Sequence, residues 1–181
     1  MEMEQSFRNQ FLVSLPALKG DYFAGTVCLL VDHNDEGAFG LIINRPLITP
    51  LTELFPQLSG TFDCPVMEGG PVEQNRVFFL HEAGPLFEST FQVSDSVSLT
   101  TSVDFIELME RGEAPHRTLA LLGYSGWGRQ QLETEIAENI WLLAPADARI
   151  IFDVPFEDRP RAAAATLGID INLIPPLAGH D

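Results

Sequence analysis

A single lysine, Lys19, is present in the whole chain, and Lys and Arg together number 10 against 26 Asp and Glu, a formal net charge of −16 over 181 residues. Such a field repels phosphates, and the clustered cations that give non-specific affinity for nucleic acid are missing. Direct contact with DNA or RNA is therefore excluded. The charge serves solubility or offers an acidic docking surface to a basic partner. Cysteine is also scarce: Cys28 and Cys64 form no CxxC and no Cys/His ligand spacing, so two reduced thiols and no metal site are expected. No run approaches the ~18 uninterrupted apolar residues that a membrane helix needs. The acidic start Met1-Glu2-Met3-Glu4-Gln5 lacks a basic region followed by an apolar core, so no signal peptide is read. A cytoplasmic protein without membrane contact is the expectation.

What is present is apolar material spread evenly. Hydrophobic residues make up 45% of the chain, enough for one well-cored domain, and no repeat, low-complexity tract or long linker divides it. A short apolar run at 11–15 and the β-branched or aromatic runs 26–31 and 39–43, parted by the polar stretch 32–37, predict strands with a hairpin between the latter two. Leu51, Leu54, Phe55 and Leu58 recur at helical spacing behind Thr49-Pro50. Residues 77–80 predict a buried strand, 91–99 one or two weaker strands, and Thr101-x-x-Asp104 opens a helix that ends at Gly112. Residues 117–122 predict a strand. From 129 to 140, Leu132, Ile136 and Ile140 fall four apart while Glu133, Glu135 and Glu138 face elsewhere, the pattern of an amphipathic helix. Residues 149–154 suggest another strand, although Pro145 can instead open a short helix through Arg149. A helix at 162–167 stops at Gly168. Without a strict βαβ rhythm, the mixture predicts an α+β domain on a mixed or mostly antiparallel sheet.

One stretch is more constrained than the rest. Gly123-Tyr124-Ser125-Gly126-Trp127-Gly128, followed by Gln131-Leu132-Glu133-x-Glu135, crowds glycines and large aromatics between a strand and a helix. Glycine allows positive φ and close backbone approach, and Tyr and Trp combine contact area with a polar handle. The run predicts a shaped turn, with Trp127 read as partly exposed and the turn as a recognition surface.

Several patterns bear on chemistry. Gly123-x-Ser125 resembles the start of a nucleophile elbow, but Trp127 occupies a position where the elbow needs a small residue. His81 is a base for Ser125 only if the fold brings them together; otherwise it is a hydrogen-bonded structural histidine. Asp32-x-Asn34-x-Glu36-Gly37 matches half of a calcium loop, yet Ile43 stands where the bidentate acid belongs, so a polar hairpin turn is read and no metal assigned. Gly69-Gly70-Pro71 is either an anion-binding nest or a tight bend, and lacks the rest of a phosphate loop. Arg45 either pairs with an acid or marks a binding mouth. These residues contain no complete nucleophile, acid/base or metal set, so no catalytic residue and no cofactor is assigned. Arg45, Gly69, Gly70, His81, Tyr124, Ser125, Trp127 and Gln131 remain as candidate binding residues.

Taken together, the blocks Gly20-Asp21-Tyr22-Phe23-Ala24-Gly25-Thr26-Val27 and His33-Asn34-Asp35-Glu36-Gly37-Ala38-Phe39-Gly40-Leu41-Ile42-Ile43-Asn44-Arg45-Pro46 resemble the first half of the AlgH/YqgE family of small bacterial proteins. Gly69-Gly70-Pro71-Val72 with Arg76 and Leu80-His81 is similar to its middle. The glycine-aromatic run, Asn139, Trp141 and Leu167-Gly168-Ile169-Asp170 are similar to its end. Gln130, where a glycine is usual, and Pro160, near where an aromatic is usual, depart from the pattern. The resemblance covers residues 11–170 and implies a single domain with a strongly curved, barrel-like sheet flanked by helices. The family's molecular function is undefined, and some members are described as regulators of alginate synthesis. Three readings follow: a non-enzymatic binding or regulatory module for a protein or small ligand, a transcriptional regulator acting indirectly, and a hydrolase-like enzyme using Ser125 and His81.

Overall fold

The computed structural model describes residues 6–16, 20–84 and 86–174, so the N-terminal acidic stretch, Lys19 and Pro85 lie outside the described residues. Strand β1 (Gln10–Ser14) pairs with β2 (Val27–Asn34), which turns into β3 (Gly37–Ile42). Asp35 and Glu36 form the tip, where the Asn34 side-chain oxygen accepts the Glu36 N–H at 2.8 Å. This Asx turn gives the calcium-like motif its polar residues a local role. After helix α1 (Leu51–Leu54) come β4 (Val66–Glu68), β5 (Val72–Glu82), β6 (Phe91–Gln92) and β7 (Val97–Thr100). Helix α2 (Val103–Glu110) leads to the long strand β8 (Thr118–Trp127). Helix α3 (Gln131–Ala137), β9 (Trp141–Pro145), α4 (Ala148–Phe152) and α5 (Arg159–Ala165) complete the order.

All nine strands form one curled sheet in the order β6-β7-β5-β8-β3-β2-β1-β9, antiparallel except for β4, which runs parallel beside β8. The period-two alternation of strand side chains splits its residues between two faces. Phe11, Val13, Val27, Leu29, Leu41, Phe78, Leu80, Leu119 and Leu121 share one face with Ile150 and Ile151 of α4 and Ala163 of α5. On the other face, Phe79 and Ala120 pack with Phe105 and Met109 of α2, while Leu12, Cys28, Leu30 and Ile42 pack with Trp127, Trp141 and Leu132 of α3. Helices on both faces of a curved sheet fulfil the α+β expectation.

The structure corrects three local readings. The glycine-aromatic run is not a turn: β8 continues to Trp127, and its far end pairs with β3 through Ala38 opposite Trp127 and Gly40 opposite Ser125. Residues 149–154 are not a strand but largely helix α4, because the Asp147 side chain caps it by accepting the Arg149 N–H at 2.8 Å. The predicted long helix stops at Ala137, and Trp141–Pro145 joins the sheet as β9 beside β1. Among the described residues no helix is long and apolar enough to cross a membrane.

Candidate functional site

Strand β8 changes partners part-way. Its first half lies between β4 and β5, and its second half meets β3. At the changeover Gly123 adopts φ +76°, a left-handed conformation that glycine takes without steric penalty. This resets the alternation: Leu119 and Leu121 face α4 and α5, the next residue on that face is Tyr124, and Trp127 falls on the opposite face. A one-residue irregularity in a strand has this effect. The chain at Gly69 and Gly70 crosses here at backbone contact. A Cβ on Gly70 would lie 2.1 Å from both the carbonyl carbon and oxygen of Tyr124, and one on Gly69 would lie 2.4 Å from the Gly123 oxygen. Gly69 N–H donates to Leu122 O at 2.8 Å, and Gly69 O accepts from the Ile42 N–H at 2.9 Å and from the Ser125 hydroxyl at 3.2 Å. The two glycines therefore make a crossing, and Ser125, fully buried, satisfies a backbone carbonyl.

Trp127 is 6% exposed, which overturns the partly exposed reading. Gly40, which lacks a side chain, leaves room for its ring. The indole N–H groups of Trp127 and Trp141 both donate to the same oxygen of Glu135, at 3.0 and 2.9 Å, and the two rings meet edge to face at 6.1 Å. Gln131 links this clamp to the chain, donating to the second Glu135 oxygen at 3.0 Å while accepting the Gly128 N–H at 2.9 Å. Glu135 and Glu133, which the helical pattern set on an outward face, both turn to the sheet; Glu133 meets His33 at 3.0 Å. Sequence spacing carries a partial signal for the clamp, since Gln131 and Glu135 are one helical turn apart.

His81 and Ser125 do not converge. Thr118 lies opposite His81, and at the ~3.3 Å rise of a strand residue it is about 23 Å along β8 from Ser125. The His81 ring is fully buried and stacks on Phe105 at 4.4 Å. Its Nδ1–H donates to Glu82 O at 2.9 Å, so Nε2 accepts the Thr100 hydroxyl at 2.8 Å, and Thr100 in turn accepts from Thr90 at 2.9 Å. This hydrogen-bond chain is complete with a neutral imidazole. Burial pushes the His81 pKa below the usual 6.5, against a smaller upward effect of the Glu82 carbonyl. Above the unfolded histidine value both states are neutral. As pH falls through ~6.5 the unfolded chain takes a proton that the folded chain refuses, so stability declines by up to about 1.4 kcal/mol per pH unit. Urea unfolding at pH 7.5 and 5.5 should show this loss in the wild type and a smaller one in His81→Gln. Parallel losses in the two proteins would contradict the assignment.

Arg45 bonds backbone carbonyls rather than an acid. Its guanidinium donates to the carbonyls of Tyr22 and, at 3.2 Å, Ala24, and lies 4.8 Å from the Tyr22 ring centroid. Beside it Asn44 accepts the Val27 N–H and donates to Gly25 O, both at 2.9 Å. Asn44 and Arg45 thus clamp the loop at 22–25 by its backbone. Burial drives both thiols up to about 12, which leaves Cys28 and Cys64 without nucleophilic character at neutral pH. Arg159 is 2% exposed and donates to Ile43 O and Val154 O over the Phe156 ring, a structural role that nothing in its sequence setting announces.

What reaches the surface is a shallow depression of ≈ 250 Å³ where the hairpin tip meets the end of β8, lined by Asp32, Asn34, Glu36, Gly37, Phe39 and Trp127 among others. Phe39 stacks on Tyr124 at 4.8 Å, and both rings pack against Phe78. Sequence reasoning selected Tyr124 and Trp127 but missed Phe39, whose register opposite Gly126 brings it to Tyr124, on the face opposite the Trp127 ring. Among the described residues no group of three His, Cys, Asp or Glu is placed to hold a metal ion.

A family model described as AlgH-like matches residues 11–172. A UPF0301 protein of Nitrosococcus oceani is 43% identical over 96% of both chains, and one of Methylococcus capsulatus is 45% identical over 99% of this chain and all of its own. The solution structure of the AlgH protein from Pseudomonas aeruginosa, 38% identical, superposes over 100% of this chain and 99% of its own with a TM-score of 0.78. A Corynebacterium diphtheriae protein, 18% identical, shares the fold with a TM-score of 0.77, covering 96% of this chain and 93% of its own. With the match running through the hairpin, the glycine crossing and the tryptophan clamp alike, the chain belongs to the AlgH-like family.

Proposed function

We propose that the protein is a non-enzymatic binding module that recognises a cationic segment of a partner protein. The observation that carries this reading is the depression at the hairpin tip, with Phe39 and Trp127 in its lining and the carboxylates of Asp32 and Glu36 beside them. The half-buried Phe39 ring with acidic neighbours suits an arginine or lysine side chain, by stacking and by charge. The net charge of −16 favours the encounter over a longer range. The groups that an enzyme reading requires have other roles: the Ser125 hydroxyl, the His81 imidazole and the Arg45 guanidinium each satisfy internal partners in separate places. Regulation of transcription, on this reading, proceeds through a protein partner.

NMR titration with a tri-arginine peptide tests the proposal. Amide shifts should concentrate between residues 34 and 39, weaken as salt is raised, and vanish with the neutral glutamine counterpart. Glu36→Lys, an exposed change expected to alter stability by no more than about 0.5 kcal/mol, should abolish them. Absent or scattered shifts in the wild type would refute the site.

A further inference from the structure

The segment before β1 is tied down at several points: the Asn9 N–H donates to Leu30 O at 2.8 Å, the Arg8 guanidinium donates to Gln92 O and lies over the Phe91 ring, and Phe7 is held by one imidazole. The Phe7 N–H donates to His33 Nδ1 at 2.8 Å, and the Ser6 hydroxyl donates to the His33 carbonyl at 3.1 Å. The rings of Phe7 and His33 lie parallel, 4° apart in plane and 4.8 Å between centroids. His33 Nε2 stands 3.0 Å from a Glu133 oxygen of α3, and only 1% of the histidine side chain is exposed. Because Nδ1 accepts an amide proton, the ring proton must sit on Nε2 and point at Glu133. The geometry thus specifies one neutral tautomer.

We infer that His33 is a proton-operated latch that releases Phe7 from β2 on acidification while α3 and the neighbouring Asn9 contact stay in place. A proton added at Nδ1 removes the acceptor of the Phe7 N–H and sets two N–H groups against each other. The same charge turns the Nε2 contact with Glu133 into an ion pair, a stronger bond than a neutral one. Protonation therefore exchanges one partner for the other. Stacking on Phe7 tolerates a cationic ring but supplies no acceptor for the amide. The charged groups facing the ring are Glu133 from α3 and, on its own strand, Asp32, which accepts the His33 backbone N–H at 3.0 Å. Phe7 packs on the apolar cluster shared by Leu12, Leu30, Trp127 and Leu132, so its departure uncovers apolar surface on the outer face near α3.

Amide hydrogen exchange on the full chain, corrected for the intrinsic pH dependence, reads the latch directly. Protection of the Phe7 amide should fall at least tenfold between pH 8 and pH 5, with the amides of α3 and β8 retaining theirs. Those controls separate local release from the global destabilisation that His81 brings. His33→Gln supplies both an acceptor for Phe7 and a donor for Glu133 without titrating, and should keep Phe7 protected at both pH values. Equal wild-type protection of Phe7 at pH 8 and 5 would overturn the latch, as would an equal acid-induced loss in His33→Gln. Loss spread in proportion over α3 and β8 would overturn it too. If the glutamine variant does not fold, the wild-type comparison alone decides.

Discussion

Replacing Gly70 by alanine is expected to abolish the folded state. The added carbon would sit 2.1 Å from the Tyr124 carbonyl carbon and oxygen and 2.5 Å from the Ser125 nitrogen. All three are main-chain atoms in the middle of β8, so no side-chain rotation relieves the collision. Relief requires the segment at 69–70 to lift off β8, which breaks the Gly69 N–H bond to Leu122 O and removes the carbonyl that Ile42 and Ser125 share. Buried donors left without acceptors cost about 1–3 kcal/mol each. Three such losses with strand displacement amount to a large part of the ~5–15 kcal/mol that stabilises a typical domain. The expected outcome is insoluble protein, or a chain without near-ultraviolet circular dichroism. Gly126→Ala is the matched control: its nearest neighbour would be a Tyr124 ring atom at 3.6 Å, and it should change stability by no more than about 1 kcal/mol. A Gly70→Ala protein that melts cooperatively near the wild-type temperature would show that the crossing is not a fixed backbone contact.

This crossing also explains where sequence reasoning succeeded and stopped. The hairpin at 26–43, the helix opened near Thr101 and the strand at 117–122 were legible because their apolar residues repeat with a strand or helix period. Glycine, in contrast, signals that side chains are absent without saying why. Gly123, Gly126 and Gly128 were read as a turn, since turns are the commonest use of clustered glycine. Here Gly123 bends a strand and makes way for another segment 54 positions earlier in sequence, at Gly69, and nothing local encodes that partner. Trp141 and the apolar residues after it were lost for a related reason. Five residues with one tryptophan and two leucines are compatible with the end of a helix, and only the ladder with β1 makes them a strand. Of the candidate residues, Tyr124, Ser125, Trp127, Gly69 and Gly70 do lie around one stretch of β8, while His81 lies elsewhere and Arg45 meets the crossing segment through its backbone, its carbonyl accepting the Glu68 N–H at 2.8 Å. The aromatic that lines the depression with Trp127, Phe39, was invisible because its place depends on strand register.

Truncating Trp127 to alanine should cost on the order of 3–5 kcal/mol, the range for deleting a buried aromatic side chain. The ring packs with Trp141, Phe23 and Leu132, and its loss empties the interface between α3 and the end of β8. It also removes one of the two indole donors on Glu135, leaving Trp141 and Gln131 to hold the carboxylate. Trp127→Phe separates packing from hydrogen bonding: most apolar contact survives, one donor is lost, and the expected cost is about 1–2 kcal/mol. Combining each change with Glu135→Gln in a double-mutant cycle isolates the indole–carboxylate coupling, which should be present in the alanine and phenylalanine series alike. Urea midpoints supply the energies, and an alanine variant within about 1 kcal/mol of wild type would contradict a core role for this ring. Because Trp127 both lines the depression and supports α3, failure of the alanine variant to bind a cationic peptide does not by itself locate the binding site. Glu36→Lys makes that distinction. Glu36 is exposed at the hairpin tip, outside the tryptophan clamp, so loss of binding there with an unchanged urea midpoint assigns recognition to the depression itself.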